Sequence, residues 1–355
     1  MTRGSAAVDL TIRGGGIFGL AIAWEAVRRG ARVRLLETAR IGAGSSGGII
    51  GALAPHTPDE WNAKKAFQLQ GLLIAEDFWA EVTAACGLGS GYARTGRLQP
   101  LADDTAISLA RSRVTSAETL WQGQARWQVI PATGAAWAPP SPTGLLIHDT
   151  LTARLHPRLA LAALSAAIRA KGGEVIENSA EPDPPGPIIW ATGVAGLEMW
   201  STAQGRKIGS AVKGQAILLG HHAASLPQIF VDGLHIVPHA DGTLAIGSTS
   251  EIQWSDTTSC DAQLDELLLR ALTALPILAN APVLDRWASL RPRAKTRSPL
   301  LGAWPGRPGH FIANGGFKIG FGIAPMVARV MVDLALDGHN SIPKEFSPQT
   351  LLDRL

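Results

Sequence analysis

The stretch VDLTIRGGGIFG, residues 8–19, decides the fold class of this 355-residue chain. It combines an apolar strand with a Gly-x-Gly-x-x-Gly turn at Gly14, Gly16 and Gly19, and a helical pattern follows the turn. In such turns the first glycine permits a tight turn, the second lets the backbone approach a pyrophosphate, and the third lets the helix pack closely on the sheet. The pyrophosphate then lies at the positive N-terminus of the helix. The stretch therefore predicts dinucleotide binding.

An acidic residue and a run of small residues extend this pattern. The next predicted strand, RVRLL at 32–36, ends at Glu37, which lies 23 residues after Gly14. This is close to the spacing of about 20 residues at which a carboxylate hydrogen-bonds the ribose of a dinucleotide, and it disfavours NADP. The stretch GAGSSGGIIG at 42–51 lets the backbone approach a large cofactor, and Ser45 and Ser46 can donate to phosphate.

Composition narrows the class of protein. With 46% hydrophobic and 17% charged residues the chain can bury a large core, which excludes a disordered or fibrous protein. Two cysteines cannot form a disulfide framework or a structural zinc site by themselves. A net charge of +3 without basic blocks argues against nucleic acid. Residues 1–12 lack a signal-peptide core, and no apolar run would span a bilayer, so we expect a cytoplasmic protein.

Strand and helix patterns alternate along much of the remaining chain. They predict an α/β protein with a Rossmann-type cofactor domain and an interleaved, mixed-sheet substrate domain. We assign residues 1–90, 142–205 and 281–355 to the first domain and residues 91–141 and 206–280 to the second. Asp-Gly at 241–242, between two predicted strands, indicates a hairpin. Thr57 and Pro58 resemble a helix start, which predicts one helix from there to about Cys86.

Four segments together resemble one known family. They are the small-residue stretch at 42–51, Ala-Thr-Gly at 191–193, Leu-Arg-Pro at 290–292 and Gly-Phe-Lys at 316–318. The chain resembles the FAD-dependent amine oxidases, or D-amino-acid oxidase family, most closely glycine oxidase, with a turn similar to that of sarcosine oxidase. The resemblance is strong at 8–51 and 286–338 and thin between them.

The resemblance implies that FAD is the cofactor. The position at which sarcosine oxidases attach flavin through cysteine falls near Thr296 and Arg297, whereas Cys86 and Cys260 lie elsewhere, so we expect non-covalent FAD. The implied FAD-binding residues are Gly14, Gly16, Ile17, Phe18, Gly19, Glu37, Ser45, Ser46, Gly48, Val175, Gly193, Gly316, Phe317, Lys318, Ile319 and Gly320.

Four side chains are candidates for substrate binding. By resemblance Arg291 binds the substrate carboxylate, a role that suits the planar guanidinium fork. Lys318, 27 residues further on, is a second contact to that carboxylate. By the same resemblance His235 stands where glycine oxidase has a tyrosine, and His56 is expected near the flavin face. The alternatives are a surface salt bridge for Arg291, a solvated lysine, and structural histidines.

The resemblance implies that a small amino acid, or an N-substituted one, is oxidised to the imine by hydride transfer to flavin, without a side-chain base. Oxygen or another electron acceptor, such as a quinone, would then reoxidise the flavin. A D-amino-acid dehydrogenase and a non-catalytic FAD-fold protein remain alternatives, and a homo-oligomer remains open. Because imidazole is smaller than phenol and can hold a charge near neutral pH, His235 also predicts a substrate with a second acidic group beside Lys318.

Overall fold

Two β-sheets organise the chain in a computed structural model that describes residues 8–355. Residues 1–7, which carry most of the segment considered above as a leader, lie outside the described residues. The strands are β1 Leu10–Arg13, β2 Val33–Leu36, β3 Ala52–Leu53, β4 Arg97–Pro100, β5 Trp127–Pro131, β6 Leu145–Asp149, β7 Ala153–Arg154, β8 Glu174–Ile176, β9 Ile188–Trp190, β10 Gly209–Gly220, β11 Gln228–Val231, β12 Leu234–Pro238, β13 Thr243–Gly247, β14 Val283–Ala294, β15 Leu300–Ala303 and β16 His310–Asn314.

Helices cover the first sheet and connect the two sheets. They are α1 Ile17–Arg28, α2 Ala63–Leu73, α3 Ala75–Cys86, α4 Asp104–Trp121, α5 Pro157–Ala170, α6 Gly193–Gln204, α7 Ala262–Ala274, α8 Gly320–Asp337 and α9 Pro348–Asp353. Among the described residues, none of these helices combines the length and apolar character that a membrane crossing requires.

The first sheet is the predicted Rossmann-type sheet. Its six strands follow the order β15-β16-β9-β1-β2-β8, and every pair is parallel except β15 with β16 at one edge. The helices α1, α5 and α8 pack together beside it and share one large apolar core with its strands. Parallel strands joined by helices place all their carboxyl ends at one edge, which is where such folds bind ligands.

The glycine turn after β1 forms as predicted. Gly14 has a φ of +110°, and a Cβ added there would lie 2.4 Å from the carbonyl oxygen of Ala191. A Cβ on Gly19 would lie 1.9 Å from the carbonyl oxygen of Gly14, so only a glycine lets α1 approach the strand this closely. The turn thus brings the N-terminus of α1 to the carboxyl edge of the sheet.

The second sheet is larger than the sequence predicted. Its eight strands follow the order β14-β10-β13-β12-β11-β4-β6-β5, mostly antiparallel, with β11 and β4 parallel. Both β6 and β14 belong to it, although they lie outside the predicted bounds of 91–141 and 206–280. The error arose because Arg291 was placed before a loop, whereas it lies within the long strand β14, paired with Val212 of β10. The predicted hairpin is confirmed by the antiparallel pairing of β12 and β13.

The predicted helix from Thr57 to Cys86 was wrong in its start and in its continuity. The hydroxyl of Thr57 donates to Asp59 instead of capping a helix. The helix α2 begins only after Asn62, whose side chain accepts a hydrogen bond from the Lys65 N–H. The helix then breaks at Ile74 into α2 and α3. The remaining predicted helices and strands lie within a few residues of their observed positions.

Candidate active site

A single large cavity lies between the carboxyl edge of the first sheet and one face of the second. Its volume is about 1150 Å³, above the range of roughly 300–1,000 Å³ typical of sites for drug-sized ligands. The first sheet contributes the strand-end residues Arg13, Leu36, Trp190 and Asn314. The second sheet contributes Arg97, Ala216, Phe230, His235 and Arg291. The cavity therefore joins the predicted cofactor turn to the predicted substrate residues.

The glycine-turn end of the cavity carries the polar groups that a dinucleotide requires. The carboxylate of Glu37 accepts hydrogen bonds from the N–H groups of Gly15, at 2.6 Å, and Ala39, at 2.8 Å, and it lines the cavity. The Ser46 hydroxyl lies at the N-terminus of α1, where it accepts from the Ile17 N–H at 3.0 Å. An acid beside the turn and a hydroxyl at a helix N-terminus fit a ribose and a pyrophosphate.

Fourteen of the sixteen implied FAD-binding residues line this cavity, and two do not. Gly19 packs against the strand, as its role in the turn requires, and does not line the cavity. Val175 lies on β8 beside Leu35 of β2 and also falls outside the cavity lining. The turn from Gly315 to Gly320 lines the cavity on the side of the second sheet and leads into the N-terminus of α8. Two helix N-termini, of α1 and α8, thus adjoin one cavity.

Arg291 is nearly buried and lines the cavity, with 9% of its surface exposed. Its Nη1 donates to the hydroxyl of Ser248 at 3.0 Å, and its Nη2 donates to the carbonyl oxygens of Thr249 at 2.5 Å and Lys213 at 3.2 Å. Its Nε is buried and has no hydrogen-bond partner within residues 8–355. Among those residues no carboxylate forms a salt bridge with it, so the surface salt-bridge alternative is not what the structure shows. Burial lowers the pKa of Arg291 to about 10, which leaves it charged at neutral pH.

Lys318 is exposed and lines the same cavity. The Nζ of Lys318 and the Cζ of Arg291 each lie 5.8 Å from the centre of the Phe317 ring. Burial and the charge of Arg291 lower the pKa of Lys318, and none of the described carboxylates forms a salt bridge with it. Two cavity-lining cations, which have no acidic partner among the described residues, therefore adjoin the same aromatic ring.

His235 lines the cavity rather than facing away from it, so it is not solely a structural strand residue. Its ring lies 4.7 Å from that of Phe230, and its Nδ1 is buried and finds no hydrogen-bond partner among the residues that the structure describes. Burial of the imidazole, with the charges of Arg97 and Lys318, lowers its pKa to about 3. The expectation that it holds a charge near neutral pH was therefore wrong, because burial of the ring disfavours the charged form and the nearby cations add to this effect.

His56 lines the cavity from the other side, where its position is fixed by Gln68. The Gln68 side-chain oxygen accepts from the His56 backbone N–H at 2.8 Å and also contacts the Nδ1 of that ring. The amide nitrogen of Gln68 donates to the carbonyl oxygen of Ala54 at 3.0 Å. Burial lowers the pKa of His56, which favours the neutral ring.

Several cavity residues were missed from the sequence. Arg97 pairs with the fully buried Asp149 at 2.9 Å and lies 5.6 Å from the Phe230 ring. Trp287 packs over Gly48, where an added Cβ would lie 2.9 Å from its ring. None of these residues stands in a recognisable motif. Only the pairing of strands far apart in the sequence brings them to the cavity.

Known proteins match this chain along most of its length. The family profile described as FAD dependent oxidoreductase matches residues 9–334. Glycine oxidase from Geobacillus kaustophilus is 26% identical in an alignment that covers 92% of each chain. The crystal structure of that enzyme superimposes with a TM-score of 0.81 at 22% identity, and the match covers 96% of this chain and 98% of that one. Glycine oxidase from Pseudomonas aeruginosa is 34% identical in an alignment covering 39% of this chain and 38% of that protein.

A third relative acts on a different amine. The crystal structure of iminodiacetate oxidase from Chelativorans sp. BNC1 superimposes with a TM-score of 0.82 at 21% identity, covering 96% of this chain and 98% of that one. At this identity the similarity shows a shared fold. Together with the matched family profile, the fold and the cavity lead to one conclusion. The chain belongs to the FAD-dependent oxidoreductases of the D-amino-acid oxidase family.

Proposed function

We propose that this FAD-dependent oxidoreductase oxidises a small amino acid, or an N-substituted one, to the corresponding imine. The observation that carries the proposal is Arg291, a charged and nearly buried guanidinium at the cavity wall without an acidic partner among the described residues. A buried cation without a counter-ion is costly, and a carboxylate ligand offsets that cost with short, charge-assisted hydrogen bonds. The hydrogen bonds to Ser248, Thr249 and Lys213 hold the side chain in place before the ligand binds.

The chain's own residues orient the substrate. Arg291 holds its carboxylate, and His235, neutral at pH 7, offers either an N–H donor or a lone pair to its polar groups. Bound FAD would supply the acceptor for the hydride that leaves the substrate carbon next to nitrogen, and water would hydrolyse the resulting imine. No side-chain base is required for an amine that binds in its neutral form. Phe230 and Phe317 provide apolar surface that lowers the local dielectric constant around these contacts.

We propose that the FAD is bound without a covalent link. Neither Cys86 nor Cys260 lines the cavity. Near residue 296, where related enzymes carry the attachment, the backbone oxygen of Arg297 accepts a hydrogen bond from Lys64 at 2.7 Å and no thiol is present. Acid precipitation should therefore release the yellow flavin into the supernatant. Flavin that stays in the protein pellet would contradict the proposal.

A second candidate substrate is an N-carboxymethyl amino acid, such as iminodiacetate. Lys318 favours it, because a second carboxylate could bind there while the first is held by Arg291. Oxidation of iminodiacetate is the activity named for one protein of the same fold. The neutral His235 supports this substrate less directly than predicted, since it supplies a hydrogen bond and not a charge.

The test is a substrate panel under air with glycine, sarcosine, D-alanine and iminodiacetate, read by flavin bleaching and peroxide together. We expect at least one of these amines to bleach the flavin and to release peroxide. Bleaching without peroxide would identify a dehydrogenase that needs another acceptor. If no amine bleaches the bound flavin, the non-catalytic alternative holds and the proposal is wrong.

A further inference from the structure

A buried polar cluster lies behind Arg291, outside the cavity lining. It consists of Lys213 and Gln215 on β10, and of Thr249 and Glu251 in the segment that follows β13. Lys213 is 2% exposed, Gln215 is fully buried and Glu251 is 7% exposed. Buried charges are costly unless they are paired and hydrogen-bonded, so such a cluster calls for a specific role.

Glu251 fixes the segment 248–251 to strand β10. Its backbone exchanges two hydrogen bonds with Lys213, at 2.9 and 3.0 Å. Its carboxylate Oε1 accepts from the Gln215 side chain at 3.1 Å and from the Thr249 hydroxyl. That hydroxyl in turn accepts from the backbone N–H of Gln215 at 2.8 Å. One carboxylate therefore joins the segment to the strand through both backbone and side-chain contacts.

The same segment supplies two of the three groups that hold the Arg291 guanidinium. These are the Ser248 hydroxyl and the Thr249 carbonyl oxygen. The third, the Lys213 carbonyl oxygen, belongs to the residue that pairs with the Glu251 backbone. The guanidinium also passes directly over Gly214, where an added Cβ would lie 1.8 Å from Nη2. The orientation of Arg291 thus depends on the position of segment 248–251.

Charge balance gives Glu251 a second effect. Its Oε2 lies 3.9 Å from the Lys213 Nζ, and its negative charge opposes the fall in the Arg291 pKa that burial causes. Glu251 thus offsets the charge of Lys213, which lies behind Arg291 and outside the cavity lining. Loss of the Glu251 charge should lower the pKa of Arg291 further.

We infer that Glu251 is a positioning residue, which holds segment 248–251 against Arg291 and keeps that guanidinium oriented for a carboxylate ligand. The inference rests on the proposed function in so far as the ligand is a carboxylate. Glu251 does not line the cavity. Its substitution should therefore change the affinity for a carboxylate ligand in a way that a general loss of stability would not.

The test measures the dissociation constant of acetate on the FAD-loaded protein from the change in flavin absorbance. Glu251→Ala should weaken acetate binding at least tenfold without loss of FAD. Glu251→Gln keeps the acceptor for Thr249 and Gln215, so it should stay within threefold of the wild type at pH 7. Thr249→Val removes the hydroxyl that joins the Glu251 carboxylate to the Gln215 N–H, so it should weaken acetate binding at least threefold.

The matched control is Asp261→Asn. The Asp261 carboxylate accepts a hydrogen bond from the same Gln215 side chain at 2.8 Å but contacts neither Thr249 nor Lys213. We expect this variant to bind acetate like the wild type at every pH. Acetate binding by Glu251→Ala within twofold of the wild type would overturn the inference. So would acetate binding by Thr249→Val equal to that of the wild type, which decides the question if the alanine variant does not fold.

Arg291→Ala separates this inference from the proposed function. If Arg291→Ala leaves acetate binding unchanged, the carboxylate assignment itself fails. If Arg291→Ala weakens acetate binding and the Glu251 variants do not, the proposed function stands and only the positioning role is refuted.

Discussion

At the scale of single residues, the site is defined by cations that lack acidic partners among the described residues. Arg97 lines the same cavity as Arg291 and Lys318, yet it is neutralised by Asp149 at 2.9 Å. Arg291 and Lys318 are not neutralised in this way. A ligand with one or two carboxylates supplies the missing charge.

Lys318 should set a preference for a second carboxylate, and that preference should depend on pH. Burial, together with the charge of Arg291, lowers the pKa of Lys318, so the lysine loses its charge at a lower pH than a solvated lysine does. In the wild type, the ratio of kcat/KM for iminodiacetate to that for sarcosine should fall as pH rises from 7 towards 10. In Lys318→Met the ratio should be lower at pH 7 and change less with pH. The exposed Lys171→Met serves as the control, and equal ratios in all three proteins would refute the role.

The motif residues could be predicted from the sequence, but the groups that surround them could not. Arg291 and Lys318 were found because each stands in a short segment that resembles a family motif. The neutral state of His235 could not be foreseen, because both its burial and the approach of Arg97 and Lys318 depend on strands and a turn that are distant in sequence. Glu251 gave no signal for the same reason, since its partners Lys213 and Gln215 lie on another strand.

At the scale of elements, the glycine turn was predictable in detail because its geometry is local. The strand, the turn and α1 follow one another in the chain, and the steric limits at Gly14 and Gly19 involve near neighbours. The long strand β14 was misread because its pairing partner β10 starts more than seventy residues earlier. The break at Ile74 was missed for a related reason, because α2 packs on a helix that is distant in sequence. Gly71 lies against the backbone of α8, where an added Cβ would be 2.6 Å from the Gly322 oxygen.

Glu37 should contribute strongly to FAD affinity. It holds the N–H groups of Gly15 and Ala39 and lines the cavity where the ribose is expected. Glu37→Ala should weaken FAD binding by about 1.5–3 kcal/mol, the range for a hydrogen bond to a charged group. Glu177→Ala is the control, because Glu177 also accepts from a backbone N–H of this loop, that of Ile41, but does not line the cavity. Titration of the apoprotein with FAD measures both, and equal affinities would contradict the assignment.

At the scale of the whole molecule, buried histidines couple stability to pH. His239 and His235 each have a pKa lowered from 6.5 to about 3, mainly by burial. His239 lies with its ring 4.6 Å from that of His156, whose pKa is also lowered by burial. The unfolded chain binds protons at these histidines below about pH 6.5, whereas the folded protein does not. Stability is therefore lost as pH falls from 6.5 towards 3.

His239→Gln should make this loss less steep. Each buried histidine contributes a slope of about 1.4 kcal/mol per pH unit to the free energy of unfolding in that range. Urea unfolding of the FAD-loaded protein between pH 7.5 and 5 measures the slope, which should fall by up to that amount in His239→Gln. The exposed His339→Gln should keep the wild-type slope. A slope in His239→Gln equal to that of the wild type would show that His239 does not remain neutral in the folded protein.

The central claim is that Arg291 binds the carboxylate of an amino acid that reduces the flavin. The most direct measurement is anaerobic flavin reduction by the best substrate of the panel in wild type, Arg291→Ala and Arg293→Ala. Arg293 lies on the same strand, 5.7 Å from the same Phe317 ring, but does not line the cavity. We predict that Arg291→Ala lowers kcat/KM by an amount equivalent to about 2–5 kcal/mol. Arg291→Lys should also have a low kcat/KM, because the planar guanidinium fork is lost. Arg293→Ala should keep a kcat/KM near that of the wild type. Near-normal flavin reduction by every amino acid in Arg291→Ala would contradict the claim.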